Sequence, residues 1–151
     1  MTLKSTLSNY NFKKDKLLGD KAEDTILQIL HESGFPNAYR VNGKEARWDI
    51  IIPEINKKLE IKNDVKAEKT GNLAIEIYKK NGNPSGIMIS ESDFWIIFAA
   101  KEIFMLDRVE LKNYTSNGTH KITWGGDNFA TQMALISIET IRTQDFCKKI
   151  G

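Results

Sequence analysis

Two β-branched runs lying close together constrain the fold more than any other feature: Arg47-Trp48-Asp49-Ile50-Ile51-Ile52-Pro53 and Leu59-Glu60-Ile61-Lys62. The branched residues favour extended backbone, and the intervening Pro-Glu-Ile-Asn-Lys stretch supplies a turn, so the pair reads as an antiparallel hairpin. Side chains alternate along a strand. Glu60 and Lys62 therefore share one face, and Leu59 and Ile61 share the other. Closing the hairpin about its turn sets Asp49 opposite Glu60. Two carboxylates then meet beside an ammonium, an arrangement that binds a divalent cation and suits metal-assisted phosphodiester hydrolysis.

The other elements follow from periodicity. Leu17, Leu18, Ala22, Ile26, Ile29 and Leu30 recur at helical spacing, predicting a helix from about Lys14 to Ser33 that Gly34 and Pro36 stop. A third strand is expected at Leu73–Tyr78, with Leu73, Ile75 and Ile77 on one face and Ala74, Glu76 and Tyr78 on the other. The segment Ser85–Glu91 reads as a short helix or loop. It leads into a buried strand at Asp93–Ala100, which pairs with a strand at Glu102–Leu106. Asp107 is expected to cap a helix from Arg108 to about Tyr114. Strands at His120–Trp124 and Met133–Ile138 flank a Gly125-Gly126-Asp127-Asn128 loop, and a closing helix carries Ile141, Phe146 and Ile150. The expectation is one mixed α/β domain over 1–151, with its core at 14–106 and further elements at 107–151.

Composition narrows the function. Lys and Arg number 22 against 20 Asp and Glu, a net charge of +2. With so little global field, any hold on nucleic acid must come from local lysine clusters. These are Lys13-Lys14-Lys16, Lys57-Lys58, Lys66-Lys69, Lys79-Lys80 and Lys148-Lys149, each of which also fits a solvated face. The single cysteine, Cys147, precludes an internal disulfide, fits a reducing cytosol and is expected on a buried helix. No secretory leader or membrane-spanning run is read, so a cytoplasmic protein is expected. His31 and His120 lack zinc-site spacing, no Ser or Cys sits in a nucleophile motif, and Gly125-Gly126 lacks the Lys-Ser/Thr of a phosphate loop. That loop reads as a plain hairpin turn or as a DNA-facing loop with Asn128, Thr131 and Gln132 as readers.

With Glu23 on the first helix, Asp49 in a hydrophobic strand and Glu60-Ile61-Lys62 in the next, the chain resembles the PD-(D/E)XK nuclease superfamily over about Lys14 to Leu106. That fold, restriction-endonuclease-like, joins an acidic helix to a three-stranded meander carrying the Asp and the Glu-x-Lys, then a helix and further strands. Trp48 stands where the motif has proline, a position at which the superfamily varies. The resemblance implies a Mg²⁺-dependent deoxyribonuclease, with Mn²⁺ able to substitute and no small-molecule cofactor. Glu23, Asp49, Glu60 and Lys62 would be catalytic. Asp49, Glu60 and the Ile61 carbonyl would be the metal ligands, enough for an ion that keeps several waters. Lys62 would orient the attacking water and stabilise developing charge. Glu23 is a second-metal group or an exposed helix residue. Glu76 is an additional site carboxylate or a solvent-facing edge residue, and Ser90, Glu91 and Asp93 either contact DNA or shape a turn.

The DNA-binding face is expected to draw on Lys57, Lys58, Lys66, Lys69, Lys79 and Lys80. So compact a chain resembles a phage or mobile-element enzyme, a junction resolvase or homing endonuclease, working as a homodimer on double-stranded or branched DNA. The same scaffold also serves non-catalytic nucleic-acid-binding or regulatory proteins, and an unrelated α/β domain could carry such a hairpin by accident.

Overall fold

The computed structural model describes residues 2–10, 22–41, 48–126 and 129–151. Two sheets share the strands. The larger has six, in the order β1 (Tyr39–Arg40), β2 (Ile50–Ile52), β3 (Lys57–Asp64), β5 (Phe94–Ala99), β6 (Glu102–Asp107) and β9 (Cys147–Ile150). The smaller has three, in the order β4 (Asn72–Lys79), β8 (Thr131–Ser137) and β7 (Lys121–Gly125). Among the described strands β3 and β5 pair in parallel and the other pairs are antiparallel. The architecture is mixed α/β, as expected.

Alternation along β3, β5 and β6 gives the large sheet two apolar faces, because strands central to a covered sheet are buried on both sides. One face presents Leu59, Ile61, Ile96, Phe98, Ile103 and Met105 to the helices α1 (Leu3–Ser8) and α2 (Ala22–Glu32). Ala22, Ile26, Ile29 and Leu30 are the buried stripe of α2. The opposite face presents Trp95, Ile97, Phe104 and Leu106 to the small sheet and to α4 (Arg108–Asn117). Full burial of a side chain such as Ile50 or Leu59, both 0% exposed, is worth roughly 1.5–3 kcal/mol. Asp107 caps α4 as expected, accepting from the Glu110 N–H at 3.1 Å.

Several expectations are corrected. The expected closing helix reduces to α5 (Ile138–Ile141), after which the chain turns and adds β9 along β6. Cys147 is buried, but in that strand, and burial pushes its thiol up to about 11. The Leu73–Tyr78 strand forms, yet it leaves the hairpin's sheet for the small one, through the turn of α3 (Ala67–Thr70). The antiparallel trio is completed instead by β1, which pairs Tyr39 with Ile51 and Arg40 with Ile50. Of the expected Lys14–Ser33 helix, the described part is α2; Lys13, Lys14, Lys16 and Asn128 lie outside the described residues. The segment after Pro84 is a single 3-10 turn, Gly86–Met88. No helix among the described residues is long and apolar enough to cross a membrane.

Candidate active site

The expected hairpin forms as β2 and β3, with Ile50 opposite Leu59 and Ile52 opposite Lys57. The turn between them is a 3-10 turn at Pro53–Ile55, closed by Asn56 in the left-handed region. The paired register ends at Ile50, and Asp49, just before β2, lies close enough to Glu60 for its charge to raise the Glu60 carboxyl. At Asp49 the backbone leaves the ladder. Its N–H donates to the Leu59 carbonyl at 2.8 Å while its own carbonyl turns to the other side and accepts from the Val41 N–H, also at 2.8 Å. The side chain fills the gap: Asp49 Oδ2 accepts from the Ile61 N–H at 2.7 Å. A strand residue projects its N–H and C=O to the same edge, so the Ile61 carbonyl lies on the β2 side of β3.

On β3, Leu59 and Ile61 are buried while Glu60 and Lys62 project from the other face. Lys62 Nζ stands 3.2 Å from Glu60 Oε1. The Lys62 ammonium also lies 5.4 Å from the Trp95 ring centre, which fixes the direction of the long side chain. Burial raises the Glu60 carboxyl above the usual range; Lys62 opposes that, and Asp49 and Glu23 add to it. The Glu23 carboxyl is raised as well, by burial first and then by Asp49, with Arg40 opposing. Three carboxylates therefore sense one another's charge, so a cation among them would be held by relief of repulsion.

Glu23 sits in the first turn of α2. Arg40 Nε stands 3.1 Å from Glu23 Oε2, a Coulombic pair without hydrogen-bond alignment, and the Arg40 guanidinium also pairs with Asp24. Among the described residues, no three His, Cys, Asp or Glu side chains form a group that could hold a metal. In this arrangement Glu23 is engaged by Arg40, and its charge acts on Glu60. A small hard cation here would draw on a narrower set: the oxygen of Asp49 that Ile61 does not engage, the oxygen of Glu60 that Lys62 does not engage, and the Ile61 carbonyl. Mg²⁺ suits such a set because it retains much of its water.

The structure disperses the remaining candidates. Lys57 and Lys58 open β3, and the Lys58 ammonium lies 3.9 Å from the ring centre of Trp48, beside Asp49. Lys66 follows the other end of β3 and lines a cavity that Lys62 also lines, with Lys69 on α3. Lys79 and Lys80 lie at the far end of β4, where the Lys80 N–H donates to the Ala130 carbonyl at 2.7 Å. Glu76 is on β4 and so does not share the Glu60 strand face, but it lines a cavity that Lys62 also lines. Ser90 and Asp93 serve the fold. Ser90 Oγ accepts from the Trp95 indole N–H at 2.9 Å, and Asp93 Oδ2 accepts from the Lys58 N–H at 2.8 Å.

Arg40 and the Trp48–Lys58 stack escaped sequence reading. Arg40 belongs to a strand of two residues, too short for any period, and the stack depends on where the bend at Asp49 sends Trp48. Neither a protein-family model nor a curated protein sequence matches the chain.

Proposed function

We propose that this chain is a Mg²⁺-dependent endodeoxyribonuclease that hydrolyses phosphodiester bonds of double-stranded or branched DNA. The observation that carries the reading is the Asp49 carboxylate held on the Ile61 N–H at 2.7 Å, with its charge acting on Glu60 and with Lys62 Nζ 3.2 Å from Glu60 Oε1. Asp49, Glu60 and the Ile61 carbonyl would hold Mg²⁺ or Mn²⁺. Bound there, the ion would acidify water and neutralise charge on the phosphate. Lys62 would donate to the attacking water or a phosphate oxygen, and its pairing with Glu60 and Trp95 aims it before substrate arrives. Arg40 would hold Glu23 and temper the negative field of the site. Lysines at the start of β3 and beyond its end would receive the DNA backbone, and a homodimer would set two sites for two strands.

A non-catalytic nucleic-acid-binding role on the same scaffold draws support from one feature: Asp49 already has a structural task in the Ile61 hydrogen bond. Incubating the protein with plasmid, linear, single-stranded and four-way-junction DNA, in Mg²⁺, Ca²⁺ or EDTA, separates the two. Cutting in Mg²⁺ with binding alone in Ca²⁺ supports the nuclease. Binding in every condition with no cutting in Mg²⁺ or Mn²⁺ refutes it.

A further inference from the structure

A cavity of ≈ 490 Å³ opens between the end of β3, β4 and the β7–β8 hairpin, and Lys62 forms part of its wall. Trp95, Met133 and Leu135 supply apolar surface, and Gly125 and Gly126 line the hairpin side. This volume lies within the roughly 300–1,000 Å³ of sites that enclose small organic groups. Glu76 is the cavity carboxylate without a hydrogen bond or ion pair among the described residues, whereas Asp64 accepts from the Ala74 N–H at 2.8 Å.

Glu76 is also held in place. The ladder between β4 and β8 shifts register just after it, pairing Glu76 with Met133 and Tyr78 with Gln132. Such irregularities re-aim side chains and gather beside functional sites. Gly86 then closes on the Glu76 backbone so tightly that a Cβ there would stand 2.3 Å from the Glu76 carbonyl oxygen. An ionised carboxylate only accepts hydrogen bonds. In a cavity lined by Trp95, Met133 and Leu135 and also by Lys62 and Lys66, it calls for a flat group with N–H donors on its rim. In DNA that group is a base, and in a duplex those donors are occupied by the partner strand.

We propose that this cavity receives an unpaired nucleobase of the substrate strand, with Glu76 accepting from its edge. Guanine fits best, since its ring N–H and amino group lie side by side, while thymine offers a single donor. The proposal rests on the nuclease reading and deepens it: the chain would select DNA with an unpaired nucleotide next to the cut.

The test is fluorescence anisotropy in Ca²⁺ with labelled duplexes of equal length, one fully paired and others with a single unpaired guanine or thymine. The unpaired guanine should tighten binding on the order of tenfold, as expected of a base stacked in a protein pocket. Met133→Trp should fill the cavity and erase that gain while keeping affinity for the paired duplex. Glu76→Gln, a smaller change, should remove the guanine-over-thymine preference and leave the fold's melting temperature nearly unchanged. Equal affinity for paired and unpaired DNA, or an undiminished gain in folded Met133→Trp, overturns the cavity's role alone. Failure to bind any DNA overturns the cavity and the nuclease together.

Discussion

Asp49 has two tasks, and two substitutions should pull them apart. Its carboxylate accepts from the Ile61 N–H at 2.7 Å, in the place that the bent backbone has vacated. Asp49→Ala leaves that donor beside the buried Ile61 side chain without a partner, at a cost of roughly 1–3 kcal/mol. For a chain of 151 residues this corresponds to a fall of about 2–12 °C in Tm. Asp49→Asn keeps an acceptor oxygen for Ile61 while removing a charge that raises both Glu23 and Glu60. Its metal-free stability should equal or exceed wild type. Both variants should fail to cut DNA, because neither offers a carboxylate to the ion. Thermal denaturation in EDTA at neutral pH, paired with a plasmid-cleavage assay in Mg²⁺, reads both tasks. An alanine variant as stable as wild type, or an asparagine variant destabilised as much as alanine, would refute the reasoning.

Other outcomes follow from the same geometry. Lys62→Ala should lower turnover by orders of magnitude with Mg²⁺ affinity nearly intact, since its role lies in the transition state; single-turnover cleavage together with Mg²⁺ calorimetry checks this, and wild-type rates would end the mechanism. Because burial raises Glu60 above its ordinary 4.5, its contribution to stability is full below that pH and is lost as pH climbs through the raised value. In EDTA, Glu60→Gln should therefore flatten the fall of Tm over that range, and an unchanged profile would contradict it. A Lys66→Ala, Lys69→Ala double variant should bind DNA more weakly in Ca²⁺ and show a shallower salt dependence, by roughly 0.9 in log–log slope for each phosphate no longer neutralised. Wild-type affinity and slope would mark those lysines as a solvated face.

The site was legible where it rests on period-two alternation and a short turn. Ile50-Ile51-Ile52 and Leu59–Lys62 commit to strands whatever surrounds them, and a hairpin's register follows from its turn. That sufficed to bring Asp49 near Glu60. It did not reveal the bend at Asp49, because a backbone that turns its carbonyl toward Val41 leaves no trace in hydrophobic pattern. Partner choice between strands was equally hidden. Leu73, Ile75 and Ile77 identify a strand with a buried face, yet the same face packs whether the strand extends the first sheet or starts a second. The chain's end misled for a related reason: Ile141, Phe146 and Ile150 meet a helical pattern loosely, and the unpaired edge of β6 offered Cys147–Ile150 backbone partners that a short isolated helix would lack.

The turn between β5 and β6 holds a reserve that engineering could release. Ala100 and Lys101 both adopt positive φ, 50° and 65°, the conformation that two-residue hairpins demand and that side chains other than Asn and Gly resist. Among the described residues Lys101 has an exposed pairing with Glu68 at 3.5 Å to lose, worth little in water. Replacing the dipeptide by Asn-Gly should raise Tm by a few degrees, about 1 kcal/mol or more of relieved strain. Since neither side chain belongs to the catalytic set, the gain should arrive with cleavage unaltered. The hairpin then becomes a means of stiffening the protein enough to tolerate damaging substitutions at Asp49 and its neighbours.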